Sequence, residues 1–520
     1  MKTSAPAEPD QLPRQQLPLW VALALSVATV GPTLAMAGNG QGLIATVGKA
    51  VPLVFVIGLI GVALVGYSFV RLTRYLNHAG SAYALVGGTV GPRAGFFSGF
   101  AMLGAYVGFS IGTLALSAAF ANAFIAELQH GKESPFQLPW LVPVIVGAAF
   151  SFLLTGRDVR LLAKILLAIE GVGIVAMVVL STVIFARGGA APTGIDFSAF
   201  SISDVSPSAV LSGVVAAFLS WAGFEACVSM GEETNNPRRN IPRALAGTLL
   251  LTGVLFVVVM FAQTVGFGTD QAGLSAFERS ANTLGELGGT FIGTWFSLLV
   301  IFTATVGAFG CHMATAATSG RILFAFGRDG FGPKSLAHIH SQSGSPRRAT
   351  WLIVAVAAAA NLICATTGWP VADTGNRAID AYFLFAVAGS VCLMVCYLLV
   401  EVAAAWFVGA PRFTAVHGGT GKVVGVTLPA LGVAVIVVVM WFSVKDAETW
   451  LAAPFLGLYW CAIGLTIALG ASRIAKQVGR ALSAELAETS MSPRRVCDHR
   501  FPSSETFSEA TSSDVPSDSG

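Results

Sequence analysis

Apolar residues collect into twelve long stretches separated by short polar breaks: Leu19 to Gly38, Val47 to Val70, Ala94 to Leu128, Leu138 to Leu154, Leu161 to Ala186, Pro207 to Met230, Ile241 to Phe267, Gly288 to Ala317, Ala349 to Thr367, Ala381 to Val408, Val424 to Val444 and Ala452 to Ala471. A helix needs about 20 apolar residues to cross about 30 Å of hydrocarbon, so each stretch is a candidate crossing. Runs such as Leu161 to Phe185 are continuous rather than alternating, which argues against a transmembrane β-barrel. The pattern predicts an all-α membrane protein with twelve transmembrane helices. Ala35-Met36-Ala37 resembles a signal-peptide cleavage site, but a long polar stretch precedes the first span and eleven spans follow, so we read it as a retained helix.

Composition agrees with the pattern. Of 520 residues, 54% are hydrophobic and only 11% charged, where soluble domains carry roughly 25% charge. The net charge of +3 is too small for this length to argue for a nucleic-acid partner. Lys and Arg collect in cytoplasmic loops. With the N-terminus inside, alternate loops and the two tails hold 24 of the 30 Lys and Arg, while the six outer loops hold one each. Both termini are therefore expected in the cytoplasm, with the bilayer of the cell membrane as the surrounding partner. After Ser472 the chain suggests a surface helix from Arg473 to Glu488 and a disordered Ser-rich end from Phe501 to Gly520.

Several function classes lose support from what the chain lacks. Six cysteines, Cys227, Cys311, Cys364, Cys392, Cys396 and Cys461, lie in apolar stretches and Cys497 in the tail. None has ligand spacing in a loop, so neither a disulfide framework nor a metal site is expected. Cys392 and Cys396 share a helix face and read as core packing. The seven histidines are scattered, giving no cluster for a membrane enzyme, and a P-loop is missing. No cofactor is expected. Arg71-Leu72-Thr73-Arg74 after the second span does not match a major-facilitator loop, and nothing resembles the filter of an ion channel.

Two spans are interrupted near their middles. The first contains Val30-Gly31-Pro32-Thr33 and the sixth Ser220-Trp221-Ala222-Gly223-Phe224-Glu225. Proline lacks an N–H and clashes with the preceding turn, and glycine lets the backbone leave helical geometry. Gly31 lies 63 residues before the third span at Ala94, and Gly223 lies 65 before the eighth at Gly288. Paired interruptions in corresponding positions point to an inverted-repeat transporter. Unwinding frees backbone groups, and half-helix N-termini present partial positive charge to a carboxylate. Freed carbonyls, with hydroxyls such as Thr29 and Thr33, suit an ammonium group or a cation.

The run Gly223-Phe224-Glu225 followed by Glu232-Glu233-Thr234-Asn235-Asn236-Pro237-Arg238-Arg239-Asn240-Ile241-Pro242-Arg243-Ala244 resembles the amino acid, polyamine and organocation (APC) permeases. Supporting matches are Ala79-Gly80-Ser81-Ala82-Tyr83 with Gly91-Pro92, and Ser319-Gly320-Arg321 through Arg328-Asp329-Gly330. The resemblance implies the five-plus-five inverted repeat of the leucine-transporter-like fold. Its repeats would be 19–190 and 205–408, followed by peripheral helices in 421–471, with cytoplasmic tails at 1–18 and 472–520. It also implies transport of an amino acid or related amine by alternating access across the cytoplasmic membrane, proton-coupled as symport, with amino acid/polyamine exchange as the alternative. By position, Val30, Gly31, Pro32 and Thr33 would line the substrate's carboxylate side. Phe218, Trp221, Ala222, Gly223 and Phe224 would contact its ammonium and side chain, one aromatic acting as a gate. The family's Gly-Ser-Gly-like run is replaced here by Val30-Gly31-Pro32, which leaves amines open as substrates.

Ionisable residues inside the spans complete the candidates. Glu170 lies mid-span in the fifth stretch, where an unpaired charge costs about 2.5 to 3.5 kcal/mol. It is expected to be neutral or paired, and is a candidate coupling or gating carboxyl. Glu225 is expected to accept freed backbone N–H groups at the second interruption, and His312 is either a packing residue or a proton relay. Glu401 is expected to snorkel to the cytoplasmic surface and takes no role. The loop from Gly231 to Arg243 reads as solvated, with a salt-bridge gate as the alternative. Sodium remains open as the coupling ion, because carbonyls and hydroxyls near the first and eighth spans, including Thr315 and Thr318, could coordinate it.

Overall fold

The computed structural model describes residues 17–470 apart from 78–79, 130–135, 156–158, 203–204, 281, 341–344, 371–374, 410 and 446–448. The proposed tail helix and the Ser-rich end lie outside the described residues. The chain is built from helices: α1 (Leu19–Val30), α2 (Pro32–Gly38), α3 (Gln41–Val47), α4 (Val51–Leu72), α5 (Ala82–Thr89), α6 (Pro92–Leu128), α7 (Leu141–Leu154), α8 (Val159–Ala186), α9 (Pro207–Ser220), α10 (Pro237–Phe267), α11 (Gln271–Arg279), α12 (Thr283–Phe291), α13 (Thr294–Asp329), α14 (Arg347–Thr367), α15 (Arg377–Gly409), α16 (Pro411–Lys445) and α17 (Ala453–Gly470).

Ten helical stretches among the described residues are long and apolar enough to cross a membrane. The fourth and sixth expected spans are shorter, α7 and α9 having 14 residues each. For α9 the reason is local: its chain leaves the helix at Trp221 and continues in turns and a five-residue 3-10 segment, Ala226–Met230.

α6 lies between α13 and α15. Its approach to α15 depends on small residues, since a Cβ at Gly108 would fall 2.6 Å from the Phe385 carbonyl and one at Gly389 2.8 Å from that of Ala105. Small side chains allow such close packing between apolar helices, where water supplies no driving force.

Two features bracket the two longest helices in the same way. The 37-residue α6 follows the short α5 across Gly91 (φ 140°, ψ 162°), and the 36-residue α13 follows the short α12 across Gly293 (φ 142°, ψ 168°). The expected eighth span therefore begins six residues later, at Thr294, and runs twelve residues past Ala317 to Asp329. Gly293 provides the corner, and α12 is the separate helix that hydropathy alone merged with α13.

Candidate functional site

The first span breaks at one residue. Gly31 adopts the left-handed conformation (φ 58°, ψ 65°), ending α1 and serving as N-cap of α2. Its own N–H still bonds Val27 O at 2.9 Å, and Ala35 N–H bonds Gly31 O at 2.8 Å. Among the rungs lost there is the one that would join Thr33 N–H to Thr29 O. Each half of that rung has found a side chain instead. Thr33 N–H donates to Glu170 Oε1 at 2.7 Å, and Thr33 Oγ1–H donates to the same oxygen at 2.8 Å. Cys311 Sγ–H donates to Thr29 O at 3.0 Å. Glu170 on α8 and Cys311 on α13 thus complete a helix end that neither belongs to.

Glycine spacing makes the contact fit. A Cβ at Gly173, one turn from Glu170 on α8, would collide with Thr33 Oγ1, and one at Gly307 on α13 would lie 2.9 Å from Glu170 Oε2. Glu170 itself is buried, 3% exposed.

The second break lies against the first. Gly223 has φ 97°, and a Cβ there would collide with Thr29 Cγ2. Backbone bonds from Trp221 to Val228 run three residues back rather than four, for example Phe224 N–H to Trp221 O at 3.2 Å and Ala226 N–H to Gly223 O at 2.9 Å. This tightened winding satisfies the backbone locally. The expected half-helix N-terminus therefore exists at Pro32 but not after Gly223, where the following segment is a short 3-10 turn. Cys227 N–H donates to Ser26 Oγ at 3.0 Å, and Asn39 Nδ2–H donates to Ser220 Oγ at 3.0 Å, so the interrupted segments touch on both sides of the break. Tyr382 O–H holds the other end of the Asn39 amide at 2.9 Å, beside a small apolar cavity walled in part by Asn39, Leu219, Phe383 and Val387.

The structure brings Val30, Gly31, Pro32, Thr33, Ala222 and Gly223 to this junction but turns the aromatics elsewhere. Phe218 covers Gly61 on α4. Trp221 packs between Phe55 and Phe256, and Phe224 against Phe69 and Tyr397. These side chains fasten the second break to α4, α10 and α15.

Glu225 is buried as expected, but its main partners are phenols rather than orphaned N–H groups. Tyr106 O–H donates to Oε1 at 2.8 Å and Tyr397 O–H to Oε2 at 2.6 Å. His312 faces α6, where Nδ1 meets Ser110 O at 2.9 Å. A carbonyl only accepts, so Nδ1 carries the hydrogen, and Nε2 has no partner among the described residues. The Thr315 and Thr318 hydroxyls donate to carbonyls of their own helix.

Two expectations are overturned. Glu401 does not snorkel: α15 continues to Gly409 and buries the carboxyl completely, with Ser68 Oγ–H donating to it at 2.5 Å. The loop from Gly231 is not simply solvated. Glu233 is buried in a pair with Arg321 Nε at 2.7 Å, and Glu232 meets Arg328 Nη1 at 3.1 Å. Both arginines come from the last turns of α13, which hydropathy had cut off at Ala317. Tyr106, Tyr397, Cys311 and Arg321 were not singled out as partners, because their contacts join distant segments.

The amino acid permease family profile matches residues 17–467. The chain is 24% identical over 365 residues to the branched-chain amino acid permease BcaP of Lactococcus lactis, covering 64% of this chain and 73% of that one. It is 25% identical over 311 residues to the low-affinity putrescine importer PlaP of Escherichia coli, covering 59% and 66%. It is 25% identical over 300 residues to an aspartate-proton symporter of Bacillus subtilis, covering 57% of each.

Proposed function

Because this chain belongs to the amino acid permease family, we propose that it is a secondary carrier of amino acids or related amines. It works by alternating access across the cytoplasmic membrane, coupled to proton movement, with both termini in the cytoplasm. The observation that carries the reading is the junction itself: a half-helix N-terminus at Pro32, with the irregular backbone at Gly223 packed against Thr29. Irregular backbone inside an apolar slab is tolerated where it is enclosed by protein or lines a cavity, and such breaks are where carriers hold solutes.

The five-plus-five repeat, residues 19–190 and 205–408, is supported by the matching corners at Gly91 and Gly293 and the near-equal helices that follow them. In this reading Val30, Gly31, Pro32 and Thr33 form one wall of the site, and Ala222 and Gly223 the other. Phe218, Trp221 and Phe224 shape the second break from behind, where a shift of one ring would move Gly223. Glu170 is the coupling carboxyl. Protonating it weakens its hold on Thr33 N–H and frees the start of α2 to tilt. Glu225 braces the second break against α6 and α15, and His312 packs α13 on α6.

The test is a thermal-shift screen of the purified protein against amino acids and polyamines at two pH values, followed by uptake of each hit into proteoliposomes. Ligands that bind the folded state raise its stability by mass action. Stabilisation by at least one such solute, with saturable uptake, is expected. No stabilisation and no uptake across the panel would sink the proposal.

A further inference from the structure

Cys392 on α15 and Cys461 on α17 are free, buried thiols that meet where their helices approach most closely. A Cβ on Gly457 would collide with Ala388 O and lie 3.0 Å from Val391 Cβ, so the two backbones come as near as glycine permits. One turn further along each helix, Cys392 follows Ala388 and Cys461 follows Gly457, so the helices run the same way and the cysteines fall in register. Cys392 Sγ–H donates to Gly457 O at 3.3 Å, the carbonyl that the α-helical ladder also pairs with Cys461 N–H. The Cys392 sulfur therefore lies beside the Cys461 backbone, and the two thiols are also hydrogen-bonded to each other. Cysteines can bridge when their Cα atoms are about 4.4 to 6.8 Å apart, a spacing that neighbouring helices reach where a glycine removes the side chain between them. Cys396, a further turn along α15, lies past this contact, and α17 carries no second cysteine to meet it.

The position of this pair gives it leverage on the candidate site. α15 touches both breaks: Tyr382 O–H holds Asn39 just past α2, and Tyr397 O–H holds Glu225 just past Gly223. Cys392 lies between these two tyrosines. α17 stands on α6, where Trp460 Nε1–H donates to Phe100 O at 2.8 Å and the Phe100 ring fills the space over Gly464. A covalent link from Cys392 to Cys461 would bind the helix that contacts both breaks to one anchored on α6. Tyr459 and Ile463, which flank Cys461 in α17, are exposed, so a small uncharged oxidant in the bilayer has only that helix to pass.

We propose that Cys392 and Cys461 are a modification site, which hydrogen peroxide converts to a reversible disulfide that slows transport by holding α15 to α17. The bridge itself stands on the contact alone, and its consequence rests on the transport reading above. One of the two sulfurs attacks the peroxide and breaks its O–O bond; the thiol proton leaves with the departing hydroxide as water, and the attacking residue becomes a sulfenic acid. The other sulfur then attacks the sulfenic sulfur and displaces hydroxide, which takes the second thiol proton and leaves as another water. Two electrons pass from the thiols to the peroxide, and a dithiol reductant restores them by exchange.

In the experiment the full chain in proteoliposomes is treated with hydrogen peroxide, denatured and alkylated, and its peptides are mapped by mass. Two of the 7 cysteines should escape alkylation, in a single peptide pair joining Cys392 to Cys461. Initial uptake of labelled leucine and labelled putrescine should fall in proportion to the bridged fraction and return with dithiothreitol. Cys392→Ser and Cys461→Ser should each keep their uptake after peroxide, while Cys396→Ser, which leaves the pair intact, should lose it as the unaltered protein does. If a serine variant does not fold, the mass map and uptake of the unaltered protein decide. A bridge through Cys396, a bridge between two chains, no bridge, or undiminished uptake by bridged protein would each overturn the inference while leaving transport standing. If neither solute is taken up before oxidation, the transport reading fails for both, and the mass map alone decides whether the site exists.

Discussion

Glu170 caps a helix to which it does not belong: its Oε1 accepts the Thr33 N–H at 2.7 Å, across 137 residues of sequence. A buried hydrogen bond to a backbone N–H is costly to leave unmade, and this one fixes the start of α2 relative to α8. We expect Glu170→Gln to abolish accumulation driven by an imposed pH gradient while exchange at saturating solute continues. Uptake into proteoliposomes with and without the gradient reads this directly, and an undiminished response to the gradient would retire Glu170 as the coupling group. Glu170→Ala should in addition destabilise the protein by about 1–3 kcal/mol, because it orphans a buried donor.

Glu225 stands between two phenols, each bonded to one carboxylate oxygen. Tyr106→Phe and Tyr397→Phe should each lower stability by about 1–3 kcal/mol. Because both act on one group, the double variant should depart from additivity by at least about 0.5 kcal/mol. Unfolding of the purified protein in detergent measures all three. Strict additivity would mean that the two tyrosines do not share Glu225.

The two ion pairs after the second break should differ in worth. Arg321 and Glu233 are both buried, so Arg321→Ala strands a charge and should cost about 3–5 kcal/mol. Arg328 and Glu232 are partly open to solvent, and Arg328 also meets Asp329 at 3.2 Å, so Arg328→Ala should cost about 1 kcal/mol or less. Added salt should weaken the second pair and leave the first nearly untouched. Equal losses for the two variants would contradict this ranking.

Gly223 and Gly188 separate backbone strain from crowding. Both have positive φ, 97° and 80°, but a Cβ at Gly223 meets Thr29 whereas one at Gly188 meets nothing within 4 Å. Gly188→Ala should cost only the strain of a left-handed residue, about 1–2 kcal/mol, and keep transport. Gly223→Ala should cost more and stop uptake by prising the two breaks apart. Normal uptake by Gly223→Ala would show that their close approach is dispensable.

The two interruptions were legible because proline and glycine act on their own backbone. Gly31-Pro32 breaks its span for reasons visible within four residues, and the same holds for the turn at Gly223. The partners were not legible. Tyr106 and Tyr397 lie 119 and 172 residues from Glu225, and no local pattern announces a contact of that length. Glu401 was misread because its place near the end of a hydrophobic run suggested a membrane surface, whereas α15 extends further and Gly432 of α16 closes over the carboxyl. The end of α13 was misread similarly: Arg321 and Arg328 lower the hydropathy of a helix that continues regardless, because buried or partly buried acids receive them.

Leu17 N–H bonds Glu233 O at 2.9 Å and Asn235 N–H bonds Leu17 O at 2.8 Å, so the chain just ahead of α1 is stitched to the loop that follows the second break. The start of the first interrupted span and the loop after the second are therefore tied to each other on that side, next to the acid pair 232–233. If the carrier cycle proposed above moves these two segments, a tag or fusion partner crowding that tie should slow uptake.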